Sequence, residues 1–415
     1  MTEQEIRRLG PALGAYLGRF RECFLQRRTA AHFDNYCRGL LSDLPRKSVE
    51  PIALAAGTAV RTLQEFLTTA AWDFGGVRDT HQARMAAALA DLPADPVGTV
   101  GVFDETSCAK KGDRTPGVQR QYLGCAGKVE NGIVTVHVAV AKGRFKALLD
   151  ADLYLPKGWD ADRDRCRAAG IPDPVRYRPK WRIALEQLGR LEGHGITFDW
   201  LTFDAGYGSQ VPLLRLLNLA GRRFVAEVPR SFAVRGAADA PARRADERLP
   251  AGHTGRWQRF RLARQTRNDQ VWRAKAVRAW AAGRSHRLVT AVNEATGEVK
   301  YFLTNARAAR LGRVLRVAFC RWNVEHVFRL AKSEAGLTHY EGRDYTGLMR
   351  HLVLGLVVLG FVAVHTERLR GEKPAADLGA GVPSTEPAVP GLIPPPAWNA
   401  RDPTRERRDP VPSAA

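Results

Sequence analysis

The stretch Val317-Ala318-Phe319-Cys320-Arg321-Trp322-Asn323-Val324-Glu325-His326-Val327-Phe328-Arg329-Leu330-Ala331-Lys332 organises the reading of this 415-residue chain. It holds no Gly or Pro and stops short of Gly336, which predicts a helix. At about 100° per residue, Arg321, Glu325, Arg329 and Lys332 share one narrow stripe, while Val317, Cys320, Val324, Val327 and Ala331 share another. One carboxylate thus stands among three cations, above an apolar face that would anchor the helix on a core. A solvated helix surface looks similar, with Glu–Arg pairs four residues apart that contribute only about 0.2–0.5 kcal/mol each. The flanking sequence has to discriminate between the two.

Lys+Arg number 64 against 43 Asp+Glu, a net charge of +21 with a pI near 10.2. Such an excess, mostly Arg, implies a polyanionic partner, most often nucleic acid. No basic amphipathic anchor stands out, so no membrane partner is expected. Cysteines 23, 37, 108, 125, 166 and 320 are scattered without a C-x-x-C pair, which argues against a zinc finger or a disulfide framework. Reduced thiols and the lack of a signal-like apolar segment near the start fit a cytoplasmic protein. The apolar run Leu352–Val364 is 13 residues long, short of a membrane span, and reads as a buried helix.

Residues 1–95 read as a helical domain. Ser48 can cap a helix with Pro51 in its first turn, Gly57 offers a turn, and Val60 to Leu67 supplies a second amphipathic helix. Helix, short turn, helix is the outline of a major-groove reader, with Arg61 and Gln64 able to reach bases; any pair of antiparallel helices shares that outline. Pro93-Ala94-Asp95-Pro96 marks a boundary. Beyond it come strands: Gly98 to Asp104, Ile133 to Val140 and 148–155, then a helix over 180–192 and a strand from Phe198 to Asp204.

Two of these strands end in an acid, Asp104 and Asp204. A strand tip points a rigidly held carboxylate into the crevice of an open α/β sheet, although Asp also ends strands merely as a turn former or helix cap. Two such tips and a carboxylate on a core-anchored helix can converge. Three convergent carboxylates repel one another and favour hard divalent cations, and two such ions can activate a water or a 3′-hydroxyl against a phosphodiester.

The chain here resembles the DDE transposases of bacterial insertion sequences, which have a ribonuclease-H-like catalytic domain. Their third block reads Tyr, two residues, Arg, three residues, Glu, six residues, Lys. Arg321, Glu325 and Lys332 match that spacing, whereas Ala318 holds the Tyr position. The closest likeness is to the IS seven-hundred-one-like group, through Phe103-Asp-Glu-Thr-x3-Lys-Lys-Gly112, Arg120-Gln-Tyr-x-Gly124, Asp204-Ala-Gly-Tyr-Gly208 and Gly336-Leu-Thr-His-Tyr-Glu-Gly-Arg343. It covers about residues 30–365.

The resemblance implies an α/β fold: a ribonuclease-H-like mixed sheet with a β-strand insertion, preceded by the helical DNA-binding domain. The catalytic domain then spans 96–368, with the insertion at about 224–305. Asp104, Asp204 and Glu325 become the metal-binding triad for Mg²⁺ or Mn²⁺, with two ions expected. Arg321 and Lys332 become phosphate contacts, with Arg329 beside them. The implied partners are transposon-end inverted repeats and target DNA, with a homodimer in the synaptic complex and a nucleoid-associated location. Glu334 and Glu341 rival Glu325 for the third acid; Asp113, Asp150 and Asp199 read as surface or turn residues, and Glu105 as pointing to solvent on the other side of its strand.

Residues 224–305 alternate basic or polar with apolar residues, as in Arg256-Trp-Gln-Arg-Phe-Arg-Leu262, and read as β structure with one basic face. Basic residues interleaved with Trp suit DNA backbone contact and base stacking, and a sandwich-like sheet with a solvated side fits the same pattern. Residues 369–415, rich in Pro and Arg, read as a disordered tail. Two other functions remain open. One is a catalytically inactive or domesticated transposase derivative that only binds DNA, and the other is a ribonuclease-H-like nuclease without strand transfer.

Overall fold

The computed structural model describes residues 3–262 and 270–371. Of the Pro- and Arg-rich tail expected over 369–415, residues 369–371 are instead the end of a helix, and the rest lies outside the described residues. The chain opens with helices α1 (Glu3–Leu17), α2 (Arg27–Leu41), α3 (Val49–Ala55), α4 (Val60–Thr68) and α5 (Phe74–Asp91). Asp73 caps α5, accepting from the backbone N–H groups of Gly75 and Gly76 at 2.9 and 3.0 Å. Strands β1 (Val100–Ala109), β2 (Gln119–Leu123), β3 (Lys128–Lys142) and β4 (Phe145–Leu153) follow, with β1, β2 and β4 all pairing antiparallel with β3. Short helices α6 (Lys157–Ala161) and α7 (Arg163–Ala168) lead into α8 (Lys180–Gly193). Next come β5 (Trp200–Phe203), α9 (Ala205–Gly208), α10 (Val211–Leu219) and β6 (Phe224–Val228). A two-stranded ribbon of β7 (Ala233–Val234) and β8 (Arg243–Arg244) and the turn α11 (Ala245–Arg248) precede β9 (Gln258–Leu262), β10 (Gln270–Ala281), β11 (Arg284–Asn293) and β12 (Val299–Thr304). Helices α12 (Leu311–Ser333) and α13 (Tyr345–Gly371) close the described chain.

Among the described residues, ten strands form one mixed sheet in the order β2-β3-β1-β5-β6-β12-β11-β10-β9, with β4 also on β3. Of its strand pairs only β1–β5 and β5–β6 are parallel; the others are antiparallel. The inserted strands are therefore not a separate sandwich. They return through β12 to the edge of β6 and continue the same sheet, because β6 would otherwise present an unpaired edge.

Alternate residues of the strands feed two cores. Val100, Val102, Trp200, Val225 and Phe302 face α12, α13 and the N-terminal helices, while Phe103, Phe203, Val136 and Phe224 face α8 and α10. Residues of α2, α3 and α4 belong to the same core as α12 and α13, so the N-terminal helices share a core with the sheet.

Helix α13 is longer than the 13-residue apolar run. Tyr345 to His351 and His365 to Gly371 extend it to 27 residues, and it is long and apolar enough to cross a membrane by length and composition. Of its apolar window, 83% is buried between β4 and helices α2, α4 and α5. A helix apolar all round fits such a central place. Its one buried cation, Arg350, reaches the end of α4. The guanidinium donates to the carbonyls of Phe66 (3.2 Å), Leu67 (3.1 Å), Ala70 (2.8 Å) and Trp72, and lies 4.4 Å over the Trp72 ring. The last carbonyls of a helix have no partner within it, so this one side chain satisfies several at once.

Replacing Arg350 with Met keeps much of its apolar stem but takes this donor from the Leu67 and Trp72 carbonyls, while Phe66 keeps the Trp72 indole N–H and Ala70 the Trp72 backbone N–H. We expect a loss of roughly 3 kcal/mol, since hydrogen bonds to charged groups contribute about 1.5–3 kcal/mol each. The check is chemical denaturation of the full chain, followed by intrinsic tryptophan fluorescence and by far-UV circular dichroism; an unchanged midpoint would mean that Arg350 does not hold α4.

Candidate active site

Asp104 lies within β1, not at its end. The strand runs five residues further, because Glu105 to Ala109 keep pairing with Gly132 to Val136 of β3. What ends beside Asp104 is its other neighbour. β5 stops at Phe203, which pairs in parallel with Phe103, so Asp204 follows next to Asp104. Period-two alternation from Val102 sets Asp104 on the face covered by α12, and period-two alternation from Trp200 does the same for Asp204.

Asp204 also serves as the N-cap of α9, accepting from the Tyr207 N–H at 3.1 Å. The glycine that follows has a packing reason: a Cβ at Gly208 would fall 1.8 Å from the Glu227 carbonyl oxygen. The Asp-Ala-Gly-Tyr-Gly stretch thus turns sharply enough for α9 to lie against β6.

Helix α12 crosses this face with Val317, Val324, Val327 and Ala331 buried, as its apolar stripe implies. Arg321 faces the sheet and is only 14% exposed. Its guanidinium donates to Glu325 at 2.8 Å and stands 3.9 Å from both Asp104 and Glu227. Burial alone would lower the Arg321 pKa, but Asp104, Glu325, Glu227 and Asp204 together hold it above the usual value. Asp104 is the opposite case. Burial pushes its carboxyl up to about 7, Arg321 pulls against that, and the charge of Asp204 adds to the rise. Glu325 remains 55% exposed, one turn beyond Arg321.

The other cations of the helix diverge. Arg329 is exposed and contacts His326 Nδ1 at 2.9 Å, and Lys332 is half-buried, with its charge felt at Cys108 and His137. The rival acids turn elsewhere: Glu334 ends α12 with its carbonyl taken by the Lys47 ammonium, and Glu341 pairs with Arg46. Arg61 is exposed on α4 and pairs with Glu65 at 2.9 Å, and Gln64 is exposed beside it.

Two expectations about acids change, for Asp150 and Glu105, whereas Asp199 and Asp113 are exposed as expected. Asp150 is fully buried, paired with Arg190 at 3.0 Å, and burial followed by the neighbouring Asp152 raises its pKa. Glu105 does point away from Asp104, but to Lys180 of α8 at 2.5 Å rather than to open solvent. Asp199 accepts from the Thr99 N–H at 2.9 Å and tethers the start of β1, while Asp113 is exposed.

Two residues of the site were missed. Glu227 on β6 pairs with Lys300 at 2.8 Å and faces Arg321; only the adjacency of β6 to β5 brings it there. His137 stands directly across from Asp104, buried, with Nε2 2.8 Å from the Thr135 hydroxyl and its ring 5.1 Å from Phe328. Burial lowers its pKa to about 3, so it stays neutral. Its place in an apolar β-run carried no signal of that neighbour.

Among the described residues, no three His, Cys, Asp or Glu side chains gather closely enough to hold an ion in this conformation. The donor chemistry nevertheless fits a hard divalent cation. Two adjacent carboxylates, one of them nearly buried, lack cationic compensation apart from Arg321, and oxygen ligands are what Mg²⁺ and Mn²⁺ take.

A raised carboxyl pKa has a defined consequence for stability. The folded chain binds more protons than the unfolded one between pH ~4 and ~7, so this group's contribution falls through that window and stays low above it. In metal-free buffer, Asp104→Asn should therefore match the wild type near pH 4 and be more stable near pH 8, by up to a few kcal/mol. Melting curves of both proteins at the two pH values provide the check, and a constant difference would show that Asp104 titrates normally.

Residues 19–290 match the family model described as DDE superfamily endonuclease. That span includes Asp104 and Asp204 and ends before α12, so Glu325 lies beyond it. The chain is also similar to a protein of Microchaete diplosiphon described as a probable transposase for insertion sequence element IS701, 35% identical over 187 residues. That match covers 44% of this chain and 45% of the relative, so it spans about half of the relative's length. With the family match extending over most of its length, and the mixed sheet carrying two adjacent aspartates beneath a helix, the chain belongs to the DDE superfamily of endonucleases.

Proposed function

We propose that this protein is a DNA transposase, cutting the ends of an insertion sequence and joining them to target DNA. The observation that carries the reading is the adjacency of Asp104 and Asp204 beneath α12, with Glu325 linked to Asp104 through Arg321. In it, Asp104, Asp204 and Glu325 hold Mg²⁺ or Mn²⁺, two ions in all. Bound there, such ions activate a water or a 3′-hydroxyl and stabilise the leaving oxygen of the phosphodiester.

The protein's own residues have separate tasks. Asp104 and Asp204 are set by the sheet and need little reorganisation. Glu325, more exposed and on a helix, completes the set when Arg321 releases it. Arg321 neutralises the carboxylates until then, with Glu227 as its remaining partner. Arg329 and Lys332 continue the basic stripe along the helix, where they contact backbone phosphates at the transposon end. The helices α3 and α4 read the end sequence, with Arg61 and Gln64 on the exposed side of α4. A homodimer brings two ends together in the synaptic complex, and the protein works in the cytoplasm on the nucleoid.

Asp104→Asn, Asp204→Asn and Glu325→Gln should each abolish Mn²⁺-dependent strand cleavage while leaving DNA binding in chelator largely intact, because each removes a hard anionic ligand at nearly constant volume. Glu334→Gln should cut normally. Near wild-type cleavage by any of the first three, or its loss in the fourth, would sink the triad as assigned.

A second expectation concerns the reader. In the full chain, Arg61→Ala combined with Gln64→Ala should reduce the preference for end over random DNA at least tenfold, since one good bidentate base contact contributes about 1–3 kcal/mol of discrimination. Competition binding measures it directly. An unaltered end-to-random ratio would remove α4 from the role.

A further inference from the structure

Between Glu298 and Glu325 the chain holds no Asp or Glu, yet Lys300, Arg307, Arg310, Arg313, Arg316 and Arg321 fall within that interval. Lys300 and Arg321 are engaged with the acids of the site. Arg310, Arg313 and Arg316 are exposed at three-residue steps over the start of α12. With Gln258 and Phe260 of β9, they line an open groove of about 450 Å³. Among the described residues, none of the three pairs with a carboxylate.

The groove is built on a firm base. Arg287 donates to the carbonyl of Ala309 at 2.6 Å and to that of Arg307 at 3.4 Å, which holds the turn entering α12. The Phe260 ring lies so close that a Cβ on Gly312 would meet it at 3.0 Å. Like charges spaced three apart on a helix repel one another, and the first turn of α12 has no acid to offset them. Cations near a helix N-terminus also oppose the helix dipole. An anion in the groove would relieve both costs.

We propose that the groove formed by Arg310, Arg313 and Arg316 holds the sugar-phosphate backbone of duplex DNA running away from the scissile bond. This rests on the DNA-cutting function proposed above. Three forked guanidinium groups in an open channel suit successive phosphates of a strand. The helix also sets the spacing. At 1.5 Å per residue, Arg316 lies about 13 Å and Arg310 about 22 Å from Glu325 along α12. At 3.4 Å per nucleotide, a strand laid along the helix would meet the groove roughly four to seven nucleotides from the cut.

The test uses the full chain with all three arginines changed to Ala, a second variant with all three changed to Lys, and the single change Arg316→Ala. Binding to an end duplex in chelator is followed against salt. The triple Ala variant should show a slope of log K against log salt shallower by about 2–3, at roughly 0.9 for each phosphate no longer neutralised, and the triple Lys variant should recover most of it. Placing single uncharged methylphosphonates four to seven nucleotides from the cut should weaken wild-type binding at least threefold, with less effect on Arg316→Ala. The second readout needs only the wild type and a single variant, so it stands even if the triple Ala protein does not fold. An unchanged slope, or a methylphosphonate effect equal in wild type and Arg316→Ala, overturns the groove while leaving the DNA-cutting reading intact. If the wild type neither binds DNA in a salt-dependent way nor cuts it with Mn²⁺, that reading fails, and this proposal fails with it.

Discussion

Because β1 and β5 run parallel with Phe103 opposite Phe203, the aspartates that follow emerge side by side on one face of the sheet. Each strand is buried on both faces, so neither can slip by a residue without turning a phenylalanine into the wrong core. That register is the most rigid part of the molecule's chemistry. The rest of the site is placed relative to it. Gly208 lets α9 fold back on β6, β6 brings Glu227 to the same face, and α12 lies across all three strands.

Collecting acids on one buried face costs free energy, and the protein offsets part of this cost with a single guanidinium. Arg321 touches Glu325 and approaches both Asp104 and Glu227, yet burial still leaves Asp104 with a carboxyl near neutrality. A site so arranged is poised for added positive charge. Its nearly buried member sits on a strand, whereas its exposed member, Glu325, sits on a helix and is free to choose partners. In the function proposed, cation binding would therefore be coupled to what Arg321 contacts, and Lys300 pairs with Glu227, the other acid near Arg321.

The same economy of structure recurs away from the site. Arg350 gathers the end of α4 onto α13, and Tyr36 meets His351 at 2.9 Å, so the N-terminal helices are bonded to the core that also supports α12. Any DNA reader on α3 and α4 is then held in fixed relation to the acids. The inserted strands extend the sheet on its other side, which carries exposed arginines to the start of α12.

Local sequence was enough for the elements themselves. The apolar stripe of Val317, Val324, Val327 and Ala331, the strand runs around Asp104 and Asp204, and the helices flanking Gly57 all follow from periodicity and turn residues, which act over a few neighbours. The spacing of Arg321 to Glu325 likewise implied their contact, since four residues make one turn. Other features depended on pairing between distant segments. That β1 runs on to Ala109 follows from β3, that Asp150 is buried follows from Arg190, and that the insertion joins the main sheet follows from β12 meeting β6. Glu227 and His137 looked like ordinary strand residues until sheet order set them beside Arg321 and Asp104. Periodicity specifies which face of an element is buried, but the identity of what lies across that face is fixed only when the backbone of another segment, often a hundred residues away, supplies the missing hydrogen bonds.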